Sequence, residues 1–142
     1  GTRRQLVAYV RSLSARFADE ESAAPVAVPD PPTPTAERVS RGRDVWNRMK
    51  CAECHGADGR GDGPAAHTLA DPRGRRVYAF DLSRSWKLKG GGAATDLYRT
   101  LHTGLDGTPM PSYDGAMRPE EAWDLVAFIR SLALDAPGPG AR

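Results

Sequence analysis

Cysteines, aromatic residues and long apolar runs are all scarce in this chain. Its 142 residues include two cysteines and 7% aromatics, and no run approaches the roughly 20 apolar residues of a membrane span. The 20 basic and 18 acidic side chains are too evenly balanced for a nucleic-acid-binding surface. The N-terminus lacks the charged start and apolar stretch of a signal peptide. We therefore expect no nucleic-acid partner and no transmembrane segment in this chain.

The shortage of aromatic residues limits the core that side chains alone can build. A chain of 142 residues is long enough for one compact domain. With 39% hydrophobic residues and few large rings, its core would be thin unless a large apolar group helped to fill it. The two cysteines, Cys51 and Cys54, leave no thiol for a structural disulfide elsewhere. Their role must therefore be local.

Apolar residues recur at helical spacing in four stretches. These stretches predict helices over residues 2–17, from Thr35 as the N-cap directly into 51, over 96–103 with Thr95 as its cap, and from 119 to 132. Pro119 suits the first position of the last helix, and Gly104 is placed to end the helix before it. No segment alternates like a strand, and residues 59–92 resemble loop. We therefore expect an all-α protein in which long loops join the helices.

Composition divides the chain into four parts. Residues 18–34 are rich in alanine, glutamate and proline, and their five prolines favour an extended, semi-rigid linker. The linker separates a helix over residues 1–17 from a domain over residues 35–134. Residues 135–142, rich in proline and glycine, should form a flexible tail.

The first helix has a counterpart near the end of the chain. The stretch Leu6–Leu13, LVAYVRSL, reappears as Leu125–Leu132, LVAFIRSL, with every position identical or conservatively changed. Two amphipathic helices can share a composition by chance, but eight matched positions in order favour a repeat. We therefore expect the first helix to be the end of a preceding domain of the same kind.

Cys51 and Cys54 are followed directly by His55 in the pattern Cys-x-x-Cys-His. The thiols lie about one helical turn apart, which suits thioether bonds to two haem vinyl groups, and the imidazole is then aimed at the iron. A zinc site would need a second ligand pair, and a thioredoxin-like redox pair would need a βαβ context. The sequence offers neither. We predict one covalent haem c on Cys51 and Cys54, with His55 as an axial iron ligand.

Around this motif the chain resembles the bacterial class I cytochromes c, over about residues 36–134. Gly42 and Trp46 stand as in the family's Gly-x-x-x-aromatic helix, which leads into Cys-x-x-Cys-His-Gly. The resemblance implies the class I cytochrome c fold, with helices and long loops wrapped around one covalent haem. It also implies that the first and last helices of the domain cross, so that Gly42 and Trp46 meet Phe128.

The second axial ligand is also implied by the resemblance. The segment Gly107–Tyr113, in which Met110 stands between two prolines, resembles the family's methionine loop and implies Met110 as the ligand. The alternatives are Met49, Met117, His67 and His102. The other two methionines are poorly placed to reach the opposite haem face, and a helical histidine is more often solvated than a ligand.

Two further haem-related roles are expected. The segment Asp58–Pro64 resembles the family's glycine-rich loop, which implies that the Pro64 carbonyl accepts the ring proton of His55 and orients it. Trp86 lies in a basic loop that could reach the haem propionates, although a solvated basic loop is an equal alternative. The charged residues of this loop are Arg84, Lys87 and Lys89.

A histidine and a methionine together saturate the iron, so the resemblance implies a single-electron carrier rather than an enzyme. It would serve redox protein partners or a parent oxidoreductase complex, as in a respiratory chain. The alternative is a haem enzyme or gas sensor with an open or labile sixth position. His102, near the methionine loop in sequence, is a candidate acid or base for such a site. Haem of this type is attached outside the bacterial cytoplasm, which implies a periplasmic or membrane-facing location.

Overall fold

The structure is a computed structural model that describes residues 1–15, 17 and 24–134. The described residues form five α-helices, which are α1 (Thr2–Ser12), α2 (Ala36–Arg48), α3 (Cys51–His55), α4 (Ala94–Thr103) and α5 (Pro119–Ser131). Short 3-10 segments cover Ala66–Thr68 and Leu82–Lys87. Pairing of β type in the described part is limited to one isolated bridge. The all-α prediction is confirmed. Among these helices, none is long and apolar enough to cross a membrane.

α2 begins at its predicted N-cap but ends earlier than predicted. The Thr35 hydroxyl oxygen accepts a hydrogen bond from the Arg38 N–H at 3.3 Å. The helix then stops at Arg48, and Lys50 adopts the left-handed conformation with a φ of 58°. Such a residue interrupts a right-handed helix. The prediction that the helix runs directly into Cys51 is therefore wrong, and the cysteines lie on a separate short helix.

α4 begins two residues before its predicted start. The Asp96 carboxylate accepts a hydrogen bond from the Ala93 N–H at 3.3 Å, so Ala93 rather than Thr95 is the N-cap residue. Gly104 ends the helix as predicted, with a φ of 68° that favours glycine. The inward face of α4 consists of Leu97, Tyr98 and Leu101, all buried.

The core centres on the crossing of α2 and α5. Trp46, Leu125 and Phe128 are at most 2% exposed, and the rings of Trp46 and Phe128 meet edge to face at 5.6 Å. Gly42 lets the two backbones approach closely. A Cβ atom there would collide with the Asp124 carbonyl and lie 2.7 Å from the Phe128 Cβ. The implied contact of Gly42 and Trp46 with Phe128 is confirmed.

Substituting Gly42 by alanine should destabilise the protein despite alanine's higher helix propensity. That propensity is worth about 1 kcal/mol, whereas overpacking typically costs about 1–3 kcal/mol. Here the clash is with backbone, which cannot rotate away, so we expect a net loss of about 2 kcal/mol. Denaturant unfolding measures the loss, with Ser40→Ala on the exposed face of α2 as the control. Equal stability of Gly42→Ala and the natural chain would contradict the close crossing.

A buried carboxylate also joins α2 to α5. Asp124 is 5% exposed, and its oxygens accept hydrogen bonds from Arg38 and Arg41 at 2.6 Å each. Burial raises the pKa of Asp124, but the hydrogen bonds from Arg41 and Arg38 outweigh it, so the pKa lies below its usual value. The sequence had indicated only the apolar stripe of this helix, and this ion pair was missed.

The depressed pKa of Asp124 predicts a pH-dependent contribution to stability. Its ionised form is favoured in the folded protein, so the stabilisation is fully present above the unfolded pKa of about 4 and is lost as pH falls through the lower folded pKa. Asp124→Asn should therefore melt several degrees lower than the natural chain at neutral pH, and the gap should narrow on acidification. Asp44→Asn on the exposed side of α2 is the control. A gap that is constant with pH would refute this assignment.

The N-terminal segment differs from its prediction in length. α1 ends at Ser12 instead of residue 17, and none of its residues is buried. Residues 24–34 are free of helix and strand, and Val28 packs partly buried against the core. The linker prediction for residues 18–23 and the tail prediction for residues 135–142 lie outside the described residues. The four-part division of the chain stays a prediction.

Candidate functional site

Four of the predicted site residues line one cleft. Cys51, Cys54 and His55 from α3 line this open cleft together with Met110. The other lining residues are mostly apolar, namely Lys50, Leu69, Val77, Tyr78, Ala79, Phe80, Leu101, Leu105, Thr108, Pro109, Pro111 and Tyr113. A mostly apolar lining with a few convergent polar groups is typical of small-molecule and cofactor sites.

His55 is held as a neutral imidazole. Its Nδ1 atom lies 3.2 Å from the Phe80 carbonyl oxygen, so the tautomer that is protonated at Nδ1 donates a hydrogen bond there. Burial lowers the pKa of His55, with the Phe80 hydrogen bond acting in the opposite direction. The Trp46 ring packs 5.9 Å from the His55 ring, between centroids. This arrangement leaves Nε2 with a free lone pair, as a metal ligand requires.

The hydrogen-bond partner of the His55 ring is the carbonyl of Phe80 and not that of Pro64. Pro64 is exposed and does not line the cleft, so the inferred hydrogen bond from His55 to Pro64 is corrected. The physical reason is that the glycine-rich loop runs along the end of α3. There its backbone N–H groups bond to the last carbonyls of the helix, with Gly61 to His55 at 2.8 Å and Gly63 to Cys54 at 3.3 Å.

The cysteine environment does not suit a reactive thiolate. Cys51 is buried and Cys54 is half-buried. Burial raises the pKa of Cys51 to about 11, against a hydrogen bond with Tyr113 that lowers it. Redox-active and metal-binding cysteines have depressed pKa values instead. In the described part of the chain, no three His, Cys, Asp or Glu side chains are grouped to hold a metal ion. The surroundings of Cys51 therefore do not favour a reactive thiolate at that position.

Met110 is held at the cleft by the end of α4. It is half-buried and packs against the core. Its carbonyl accepts a hydrogen bond from the Leu105 N–H at 3.2 Å, and the Tyr113 N–H donates to the Leu101 carbonyl at 2.9 Å. A Cβ atom on Gly104 would lie 2.7 Å from the Pro111 carbonyl carbon, so this loop can pack tightly only against glycine.

The four alternative ligands lie away from the cleft lining. His102 faces Asp114, with 3.4 Å between Nδ1 and the carboxylate. Met117 lines a different pocket with His102 and Tyr98. His67 is exposed on a 3-10 turn, and Met49 packs against the core at the end of α2. Of the five candidates, Met110 is the one that the fold brings to the cysteines and His55.

Trp86 does not reach the cleft lining. It is 38% exposed and belongs to the 3-10 segment Leu82–Lys87, whose buried residues are Leu82 and Ser83. Asp81 begins this segment by accepting the Ser83 N–H at 3.1 Å. The predicted role of Trp86 at the haem propionates stays a prediction.

Phe80 was not predicted from the sequence, and Tyr113 was named only as the end of the methionine loop. Phe80 closes the run Val77–Phe80, the most apolar stretch within the segment that resembled loop. That run was the available signal, because an apolar stretch in a polar loop needs something to pack against. Tyr113 lines the cleft, and burial raises its pKa to about 12, with the neighbouring Cys51 adding to the shift.

Comparisons with known proteins agree with this geometry. The family model described as cytochrome c matches residues 39–133. Among solved structures, the chain is similar to one from the reducing HAO-like protein complex of Kuenenia stuttgartiensis, at 36% identity and a TM-score of 0.83. The similarity covers 88% of this chain and 57% of that chain, so this chain spans little more than half of its solved relative. A comparison with curated proteins found no match.

Proposed function

The chain belongs to the cytochrome c family, and from this membership we propose that it is a single-electron carrier with one covalent haem c. Family membership itself implies haem-based electron transfer. The finer assignment is that Cys51 and Cys54 carry the haem, with His55 and Met110 as axial ligands. One observation carries it: these four side chains line the same apolar cleft.

The residues of the cleft fit a haem. Two thiols one helical turn apart suit two thioether bonds, and the neutral imidazole beside them suits iron. The mostly apolar lining would exclude water from the macrocycle. When bound, haem c supplies an iron centre that takes up and releases one electron.

The proposed ligand pair sets the function. Methionine sulfur favours ferrous iron and raises the reduction potential, and two protein ligands leave no position for a substrate. Phe80 fixes the His55 ring through Nδ1, and the α4 end holds the loop that carries Met110. Both ligands therefore stay in place when the charge changes. This favours electron transfer over catalysis.

The rim of the cleft supports docking by a redox protein. Tyr78 is 76% exposed and Leu105 is 46% exposed, and both line the cleft together with the exposed Lys50. Transient redox complexes use small surfaces of this kind. We propose a redox protein or a parent oxidoreductase complex as the partner, which the similarity to a chain from a protein complex supports. An extracytoplasmic location is part of the same proposal, and cell fractionation tests it.

A potentiometric titration combined with carbon monoxide tests the proposed function. We expect one reversible one-electron transition, and no shift of the Soret band when the reduced protein meets low carbon monoxide concentrations. A shift at low concentration would show an open or labile sixth position. That result would favour the haem enzyme or gas sensor instead.

A further inference from the structure

Two segments of this chain share a sequence but differ in environment. Leu6–Leu13 repeats Leu125–Leu132 position by position. Among the buried apolar residues of α5, Leu125, Phe128 and Ile129 are at most 5% exposed. Their counterparts in α1 are at least 56% exposed, namely Leu6, Tyr9 and Val10. The face that α5 buries is thus left uncovered in α1.

The two helices also end in the same way. The Ser12 hydroxyl donates to the Tyr9 carbonyl at 2.7 Å, and the Ser131 hydroxyl donates to the Phe128 carbonyl at the same distance. The residues that follow, Leu13 and Leu132, have φ values of −74° and −78°. The repeated sequence therefore has the same local backbone geometry at both helix ends.

The environment of α5 indicates what would cover α1. In this domain α2 lies on the face of α5, with Gly42 against Phe128 and the Trp46 ring beside it. Tyr9 stands where α5 has Phe128, so the face of α1 suits a helix with a small residue opposite this ring. The tyrosine also needs a polar neighbour for its hydroxyl.

A second copy of α2 is a poor match for this face. Arg38 and Arg41 of α2 are hydrogen-bonded to the buried Asp124 of α5. The counterpart of Asp124 in α1 is Gln5, which carries no charge to receive them. An exchange of helices between copies would replace two charge-assisted hydrogen bonds by weaker neutral ones. This disfavours α2 of a second copy as the complementary helix.

We propose that α1 is the closing helix of a second, non-identical haem c domain, whose opening helix covers Leu6, Tyr9 and Val10. This inference rests on the proposed function, since it takes the present domain to be a haem c domain. A closing helix comes last in its domain, so the rest of the second domain precedes α1 in the same polypeptide. The chain beyond α1 then tethers two haem groups to each other.

The polypeptide purified from its natural host tests this proposal through its haem content. Its intact mass after extraction with acid acetone gives the number of covalent haems per chain. We expect at least two. A count of one would overturn the two-domain inference and leave the proposed function intact. A count of zero would overturn the proposed function itself.

Paired substitutions in that polypeptide locate the second domain. Phe128→Ala should lower the melting temperature of the haem domain that contains Cys51. Tyr9→Ala should lower that of the other haem domain by a similar number of degrees. Arg11→Ala is the matched control, because its counterpart Arg130 is exposed on α5. If Tyr9→Ala changes neither transition or only the transition of the Cys51 domain, α1 is not the closing helix of a second domain.

Discussion

Replacement of both Cys51 and Cys54 by alanine should yield a protein without covalent haem that unfolds at a much lower temperature than the natural chain. Both side chains line a cleft whose walls are mostly apolar. Without a bound group the apolar walls would meet water, and each large side chain so exposed forfeits about 1.5–3 kcal/mol. Haem staining after denaturing electrophoresis and thermal unfolding measure the two losses.

The single variants and a neighbouring control make this prediction specific. Cys51→Ala and Cys54→Ala should each retain at most one thioether and mature poorly. Glu53→Ala changes an exposed residue between the two cysteines on the same helix, and it should keep both haem and stability. Full haem staining in the double variant would show that the attachment is elsewhere.

Met110→Ala should open one axial position of the iron and lower the reduction potential by on the order of 0.1 V. Water or a nitrogen donor in place of the thioether stabilises ferric iron better. The reduced variant should then bind carbon monoxide readily, with a shifted Soret band. Absorption spectroscopy and a potentiometric titration measure both effects.

Met117→Ala is the matched control for this prediction. Met117 is also half-buried, but it lines the pocket beside Tyr98 and His102 instead of the cysteine cleft. Its substitution should leave the spectrum and the potential unchanged. An unchanged spectrum in Met110→Ala would mean that a different residue is the sixth ligand, and His102→Ala would be the next variant to examine.

The features that the sequence predicted best are those that local rules decide. Pro119 is the first residue of α5, and Gly104 ends α4, because proline and glycine have strong positional preferences at helix ends. The hydrogen bond from the Arg38 N–H to Thr35 is local in the same sense. Family resemblance added the crossing of Gly42 with Phe128, which joins positions far apart in the chain.

The features that the sequence did not predict depend on distant parts of the chain. The hydrogen-bond partner of His55 is a backbone carbonyl 25 residues later. Every residue type has a backbone carbonyl, so the sequence does not indicate which one is used. The pairing of Asp124 with Arg38 and Arg41 spans more than 80 residues. The left-handed conformation of Lys50 was not predicted either, since lysine has no preference for that conformation.

The most direct test of the account is peptide mapping of the natural protein by mass spectrometry after extraction with acid acetone. Thioether bonds survive this treatment, whereas a non-covalent haem is removed. We expect the mass of one haem on the peptide that contains both Cys51 and Cys54. A peptide with two unmodified cysteines would contradict it.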